Sequence, residues 1–264
     1  MQKGGFWPSG LERLFINECM RTRRFKILVV ALGLTIAMIP FRSKIKSAAV
    51  SAIQILKGRK SVADRVTEYG EIVRNRLTPR FREIGVSYPP RKITFVGLKR
   101  ERLLEVWVSD GNTKYEHLKT YPILGTSGVL GPKLTEGDGQ IPEGLYKIGS
   151  LNPNSLYHLA LRVDYPNAFD QAKGAEDGRF NLGSDIMIHG KSASIGCLAM
   201  GDQAAEDLFV LAAETGIEHI TLILSPVDFR LGGGPPNMQK LPGWTPELYT
   251  IIRKELSNYT AQVP

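Results

Sequence analysis

Cysteine and histidine are scarce in this chain, which has two cysteines and four histidines among its 264 residues. Cys19 and Cys197 lie far apart, so the chain has no framework of paired cysteines such as holds small secreted domains together. Zinc needs three or four ligands, and the histidines show no ligand spacing. The sequence therefore predicts neither a bound metal nor another cofactor. The four histidines are His117, His158, His189 and His219.

Internal repeats, heptads and glycine-rich phosphate loops are also absent. The formal net charge is +8, but residues 1–60 alone hold 12 basic and two acidic side chains. Of the 34 basic and 26 acidic residues in the chain, 22 and 24 remain in 61–264, a net charge of −2. This larger part has no basic stripe with interleaved aromatic residues, so we expect no nucleic-acid partner.

Long apolar runs are limited to one N-terminal stretch. Residues 27–39 are apolar, Pro40 and Phe41 follow, and basic residues flank both sides. This pattern predicts export, with 27–41 retained as an anchor in the cytoplasmic membrane and the rest in the periplasm or cell envelope. A signal peptide cleaved near 47–49 remains the alternative.

Four regions follow from the composition along the chain. Residues 1–42 form the segment with the signal or anchor helix, and 43–89 form a basic and helical spacer. In the spacer, Ser61 begins a helix over 61–77 that Thr78-Pro79 breaks or kinks. Residues 90–226 carry the chemistry described below. Residues 227–264 form a C-terminal extension with a short helix over 245–257.

The region 90–226 has the pattern of a β-rich domain. Apolar residues alternate from Arg91 onward, and Asp110-Gly111 is a strong hairpin signal. Further strands are predicted over 114–124, 156–163, 186–188 and 220–224, with a hairpin near 146–148. One clear helix is expected over 203–215, begun by Asp202 and ended by Gly216. The fold class is therefore mainly β with flanking helices.

The residue types suited to chemistry cluster in the stretch 186–200. A short apolar strand ends at His189, and Cys197 follows eight positions later after Ser194 and Gly196. An imidazole can take the proton of a thiol, and the backbone N–H groups of a glycine turn can stabilise an oxyanion. These are the parts of a thiol acyl-transfer site. A small buried cysteine and a structural histidine are the simpler alternative.

The same residues resemble the active-site segment of the L,D-transpeptidase (YkuD-type) catalytic domain family. Ile188-His189-Gly190 is followed by the Ser-x-Gly-Cys pattern that ends at Cys197, and other segments agree in order along 90–226. The YafK-like murein L,D-transpeptidases are the branch it is most similar to. The agreeing segments are 127–133, 137–146, 152–158 and 165–168.

The resemblance implies a β-sandwich catalytic domain and a set of roles. Cys197 is expected to be the nucleophile and His189 the base that activates it. The resemblance further implies that the backbone carbonyl of Gly190 orients the imidazole. The N–H groups of Gly196 and Cys197 are the natural oxyanion donors.

Several side chains are weaker candidates for substrate contacts, and each has a simpler structural explanation. Acids beside glycine and proline are usually turn formers, exposed cations are usually solvated, and a histidine on a strand is as often structural. The candidates are Asp138, Glu143, Tyr157, His158, Arg162, Tyr165, Lys191 and Ser194.

The resemblance implies an enzyme that forms a thioester between Cys197 and a peptidoglycan stem peptide. An amine acceptor would complete a crosslink or a protein attachment. If water is the acceptor, the enzyme is an amidase or carboxypeptidase that hydrolyses stem-peptide or wall-protein linkages. A non-catalytic wall-binding protein is the third alternative.

Ile195 is the one departure from many family members, which have a histidine before the Gly-Cys pair; YafK-like members share the departure. We expect Ile195 to form an apolar wall that dries one side of the cleft. Replacing it by histidine should then change the partition between amine and water.

Overall fold

The computed structural model describes residues 58–232, 234 and 238–262. The predicted membrane segment 27–41 lies outside the described residues. Among the helices that are described, none is long and apolar enough to cross a membrane.

One eight-stranded sheet organises the described part of the chain, in the spatial order β3-β2-β1-β8-β4-β5-β6-β7. The mainly β prediction is confirmed, but the strands form one continuous curled sheet and not the two packed sheets of the expected β-sandwich. The hairpin predicted at Asp110-Gly111 joins β2 to β3, which pair antiparallel. The strands are β1 (Lys92–Leu98), β2 (Leu103–Ser109), β3 (Glu116–Pro122), β4 (Gly144–Ser155), β5 (His158–Val163), β6 (Met187–His189), β7 (Leu198–Ala199) and β8 (Ile220–Ser225).

The sheet curls until its two ends meet. The chain that leaves β3 forms an antiparallel bridge between Gly125 and Ala199 of β7. The N–H groups of Leu124 and Gly125 both donate to the Ala199 carbonyl, at 2.8 and 3.2 Å. A β-carbon on Gly125 would lie 2.1 Å from the Ser192 carbonyl oxygen, so only glycine permits this approach.

Helices cover both faces of the sheet. Helix α1 (Val62–Ile84) and helix α3 (Asp202–Thr215) pack on one face, where Phe81 and Phe209 are fully buried with Phe95 of β1. Helix α4 (Thr245–Leu256) covers the opposite face. The central strands β1 and β8 are therefore buried on both sides, which explains their nearly continuous apolar sequences.

The helices differ from the prediction at three points. Ser61 begins helix α1 as expected and forms a capping box with Asp64, but the helix continues through Pro79 to Ile84, with the left-handed Gly85 as its C-cap. Helix α2 (Ala168–Glu176) was not predicted. Asp202 does not cap α3; it is the first residue of that helix, and its carboxylate accepts from the Lys191 N–H at 2.8 Å.

Candidate active site

His189 and Cys197 come together through two short neighbouring strands. β6 and β7 run parallel, with Ile188 beside Leu198 and His189 beside Ala199. Ile188 and Leu198 point into the core. Because side chains alternate along a strand, His189 and the residue just before Leu198, which is Cys197, share the other face. The sheet register therefore places the His189 imidazole and the Cys197 thiol on the same face of the sheet, on neighbouring segments of the chain.

The backbone holds the His189 ring in one orientation. Nδ1 lies 2.6 Å from the Gly190 carbonyl oxygen, which can only accept, so Nδ1 carries the proton and Nε2 is the basic nitrogen. This is the contact that the resemblance implies. Burial lowers the pKa of His189, and the hydrogen bond to Gly190 opposes the lowering. The ring is therefore a neutral base at neutral pH.

Gly190 has room for no side chain. A β-carbon there would lie 2.6 Å from a carboxylate oxygen of Asp202 and 2.7 Å from the Tyr157 carbonyl oxygen. The close packing of the turn before β5 and the start of α3 thus fixes the carbonyl that orients His189. The Asp202 carboxylate thus packs against Gly190 and accepts from the Lys191 N–H, a contact that its position in the sequence did not indicate.

The Cys197 thiol is half-buried, and its Sγ lies 3.6 Å from the Asp185 carbonyl oxygen. Burial raises the pKa of Cys197. A hydrogen bond from the Met187 backbone lowers it, the Asp185 charge raises it and the Lys133 charge lowers it. A raised thiol pKa beside a lowered imidazole pKa favours the neutral pair over an ion pair in the resting site. The thiol then needs a base at the moment of attack.

Both predicted oxyanion donors are already engaged. The Gly196 N–H donates to the Ser127 hydroxyl at 2.6 Å, and the Cys197 N–H donates to the Ser194 hydroxyl at 3.0 Å. Ser194 also donates to the Cys197 carbonyl at 2.6 Å. It therefore stabilises the turn of residues 190–197 that leads to Cys197, which we call the nucleophile turn. Each of the two N–H groups thus has a serine hydroxyl as its acceptor in this structure.

Asp138 and Glu143 are internal residues. Asp138 pairs with the buried Lys133 at 2.5 Å and accepts from three backbone N–H groups, which together lower its pKa against the effect of burial. Glu143 is 1% exposed and pairs with Lys99 at 2.7 Å. It also accepts from Tyr249. Their oxygens bind groups of the protein itself, so neither carboxylate is presented to a substrate.

Tyr165 is buried and His158 is half-buried. The Tyr165 hydroxyl donates to the Leu182 carbonyl at 3.0 Å, and its ring is buried in the core. His158 contacts Glu206 through Nε2 at 3.1 Å and packs edge-on against Tyr69. For both residues the structural explanation holds.

Tyr157 does reach the site. Its ring centroid lies 4.7 Å from that of His189, and the side chain is 44% exposed. Arg162 forms a partly exposed ion pair with Asp185 at 2.9 Å, next to the carbonyl that contacts Cys197. Lys191 is exposed on the turn after His189. Of the weaker candidates, these three and Ser194 border the site.

Ile195 does not form the expected wall. Its side chain is 86% exposed, so it points into solvent beside the nucleophile turn. The prediction that it dries one side of the cleft is therefore wrong. Glycine at 196, with φ of 82°, turns the chain sharply, and this turn directs Ile195 outward.

Within the described part of the chain, no three His, Cys, Asp or Glu side chains are grouped so that they could hold a metal ion.

Residues 91–221 match the family model of the YkuD L,D-transpeptidase catalytic domain. The match agrees with the resemblance that the motifs of this segment indicated. The chain is also 42% identical over 113 residues to the putative L,D-transpeptidase YafK of Escherichia coli K12. That match covers 42% of this chain and 43% of the relative, so it spans less than half of either protein.

Two solved structures share lower similarity. The helical cell shape determining protein Pgp2 from Campylobacter jejuni is 22% identical with a TM-score of 0.43, over 57% of this chain and 55% of that one. Bd1075 of Bdellovibrio bacteriovorus is 20% identical with a TM-score of 0.38, over 65% and 56% of the two chains.

Proposed function

We propose that this protein is an exported cysteine acyl-transferase that acts on peptidoglycan stem peptides through a thioester on Cys197. The observation that carries the proposal is the fixed His189 ring, whose Nδ1 is held by Gly190 at 2.6 Å while Cys197 shares its face of the sheet. The YkuD match over 91–221 supports the substrate class.

The chemistry follows from these two groups. His189 Nε2 takes the thiol proton as Sγ attacks a peptide carbonyl, and the carbonyl oxygen becomes an oxyanion. When the tetrahedral intermediate collapses, the C–N bond breaks and the imidazolium gives its proton to the departing amine. A thioester remains on Cys197, and an amine or water then releases the acyl group.

A cavity beside the site offers room for a substrate. It has a volume of about 660 Å³ and is lined by residues 129–132, Gln140 and residues 240–242. The Gln140 carbonyl oxygen would lie 3.4 Å from a β-carbon on Gly196, so one residue that lines the cavity approaches the nucleophile turn.

Hydrolysis is the second candidate function, with water as the acceptor and stem-peptide or wall-protein linkages as substrates. The exposure of Ile195 favours it, because the nucleophile turn is open to solvent on that side. A closed, dry site would favour capture by an amine.

Muropeptide mapping tests the proposal directly. Purified peptidoglycan is digested with the wild type, with Cys197→Ala and with Cys19→Ala, which removes the other thiol of the chain. We expect the wild type and Cys19→Ala to change the muropeptide pattern equally and Cys197→Ala to leave it unchanged, with an unaltered circular dichroism spectrum. A folded Cys197→Ala variant that remains active would contradict the proposal.

Export is a separate part of the proposal, with residues 27–41 as an anchor in the cytoplasmic membrane. The basic residues that flank this apolar run support it. A reporter that is active only in the periplasm, fused after Pro264, should give signal. Signal from a reporter active only in the cytoplasm would refute export.

A further inference from the structure

Strand β7, which directly follows Cys197, has a neighbouring segment on each side. β6 with His189 occupies one edge of β7, and the loop after β3 occupies the other through the Gly125–Ala199 bridge. Because the two segments of an antiparallel pair run in opposite directions, residues after Gly125 lie beside residues before Ala199. Ser127 lies two residues beyond this bridge, on the flank away from His189, where its hydroxyl contacts Gly196, the residue just before Cys197.

The Ser127 hydroxyl connects two loops at this point. Its oxygen accepts from the Gly196 N–H at 2.6 Å, and its proton is donated to the Gly139 carbonyl at 2.7 Å. The Gly196 N–H is thus not free for a substrate. The Ser127 hydroxyl, which accepts from this N–H, can itself donate a hydrogen bond, since its proton rotates about the C–O bond.

A hydroxyl in this position is prepared to donate. The Gly196 N–H withdraws electron density from the serine oxygen, and hydrogen bonds in such a chain strengthen one another. An oxyanion is a stronger acceptor than the neutral Gly139 carbonyl, because charge-assisted hydrogen bonds are about twice as strong as neutral ones. The rotation of one hydroxyl proton toward a developing charge is therefore favourable.

We propose that Ser127 is a side-chain oxyanion donor of this site, in the place that the Gly196 N–H was expected to fill. This inference rests on the proposed function. As the S–C bond forms, the carbonyl electron pair moves to oxygen and the thiol proton goes to His189. Ser127 keeps its proton and turns it from Gly139 to the oxyanion, while Gly196 holds the serine oxygen in place.

Two reagents separate this role from general support of the nucleophile turn. Iodoacetamide alkylates Cys197 by displacing iodide and forms no oxyanion. A carbapenem acylates it by opening a strained carbonyl through a tetrahedral oxyanion. Both rates are measured at Cys197 by mass spectrometry of the peptide that contains it, for the wild type, Ser127→Ala, Ser127→Thr and Ser192→Ala. Ser192 is an exposed serine of the same turn and serves as the matched control.

We expect Ser127→Ala to slow acylation about 10²-fold, the usual cost of one oxyanion donor, with alkylation within about twofold of the wild type. Ser127→Thr, which keeps the hydroxyl, should recover at least about a tenth of the wild-type acylation rate, a loss of no more than about tenfold. Ser192→Ala should match the wild type in both reactions.

Three other results would overturn the proposal. Faster acylation in Ser127→Ala would mean that Ser127 blocks the Gly196 N–H. Equal losses in both reactions would mean that it only supports the turn, and unchanged rates would mean no role. A wild type that is alkylated but never acylated would instead contradict the proposed function itself.

Discussion

The two flanks of Cys197 are built in different ways. On one flank, the regular strand β6 presents His189, whose ring has a single backbone partner at Gly190. On the other flank, the loop 125–140 directs its polar groups at one another and at the nucleophile turn. The strand thus leaves a reactive nitrogen available, whereas the loop uses its charges to hold its own shape.

This difference explains which of the candidate side chains lie beside the thiol. A histidine that ends an apolar strand has its position fixed by the strand, so its place in the site follows from the sequence pattern. Asp138 lies in a loop rich in glycine, where exposed N–H groups and the buried Lys133 need an acceptor. The Asp138 carboxylate therefore binds groups of the protein itself and is not available to a substrate.

Removing the base on the strand flank should give the largest effect. We expect His189→Ala to lower the acylation rate by about 10² to 10⁴-fold, the usual cost of a missing general base. His219→Ala, which removes an exposed imidazole, is the control and should be neutral. A loss below tenfold for His189→Ala would show that another group activates the thiol.

Breaking the buried ion pair of Lys99 and Glu143, next to the loop 125–140, should lower the stability of the protein and leave the acylation rate unchanged. Glu143→Gln leaves the Lys99 ammonium, 7% exposed, without its counter-charge. We expect the free energy of unfolding to fall by about 3–5 kcal/mol in urea denaturation. The exposed pair of Lys114 and Glu116 is the control, and Glu116→Gln should cost less than about 1 kcal/mol.

A substrate role for Glu143 would produce the opposite pattern. In that case Glu143→Gln would raise KM while the unfolding midpoint stayed in place. Such a result would remove the distinction between the two flanks.

The pKa shifts predict that alkylation and acylation respond to different pH ranges. Burial raises the pKa of the Cys197 thiol, so alkylation should increase with pH through a value above the ordinary one of about 8.5. Burial lowers the pKa of His189, so acylation should already increase with pH below about 6.5, where the free base forms. Stopped-flow rates at constant ionic strength measure both profiles. A shared inflection would indicate a resting thiolate–imidazolium pair instead.

Ile195→His should have the smallest effect. Because the Ile195 side chain is 86% exposed, a histidine there would extend into solvent. We expect the ratio of hydrolysed to amine-captured product to change by less than about twofold, measured by chromatography with a fixed amine concentration. A tenfold change would restore Ile195 as a wall of the cleft.

Local sequence signals predicted most strands, because alternation and turn residues act over a few neighbouring positions. Helix α2 was missed because Gly174 is its only buried residue, so it lacks an apolar stripe. Asn167 and Asp170 form a capping box that could have indicated it. Ser127 gave no such signal, since its partner Gly196 is 69 positions away and the contact exists only once the sheet has curled.

The central claim is that a stem peptide is transferred through a thioester on Cys197, and the most direct measurement is to trap that intermediate. The wild type is mixed with a purified stem peptide, quenched in acid within milliseconds to seconds, and analysed by intact mass and peptide mapping. We expect an adduct on Cys197 equal to the peptide minus its departing amine, and no adduct in Cys197→Ala. Product formation with no adduct at Cys197, together with turnover by Cys197→Ala, would contradict it.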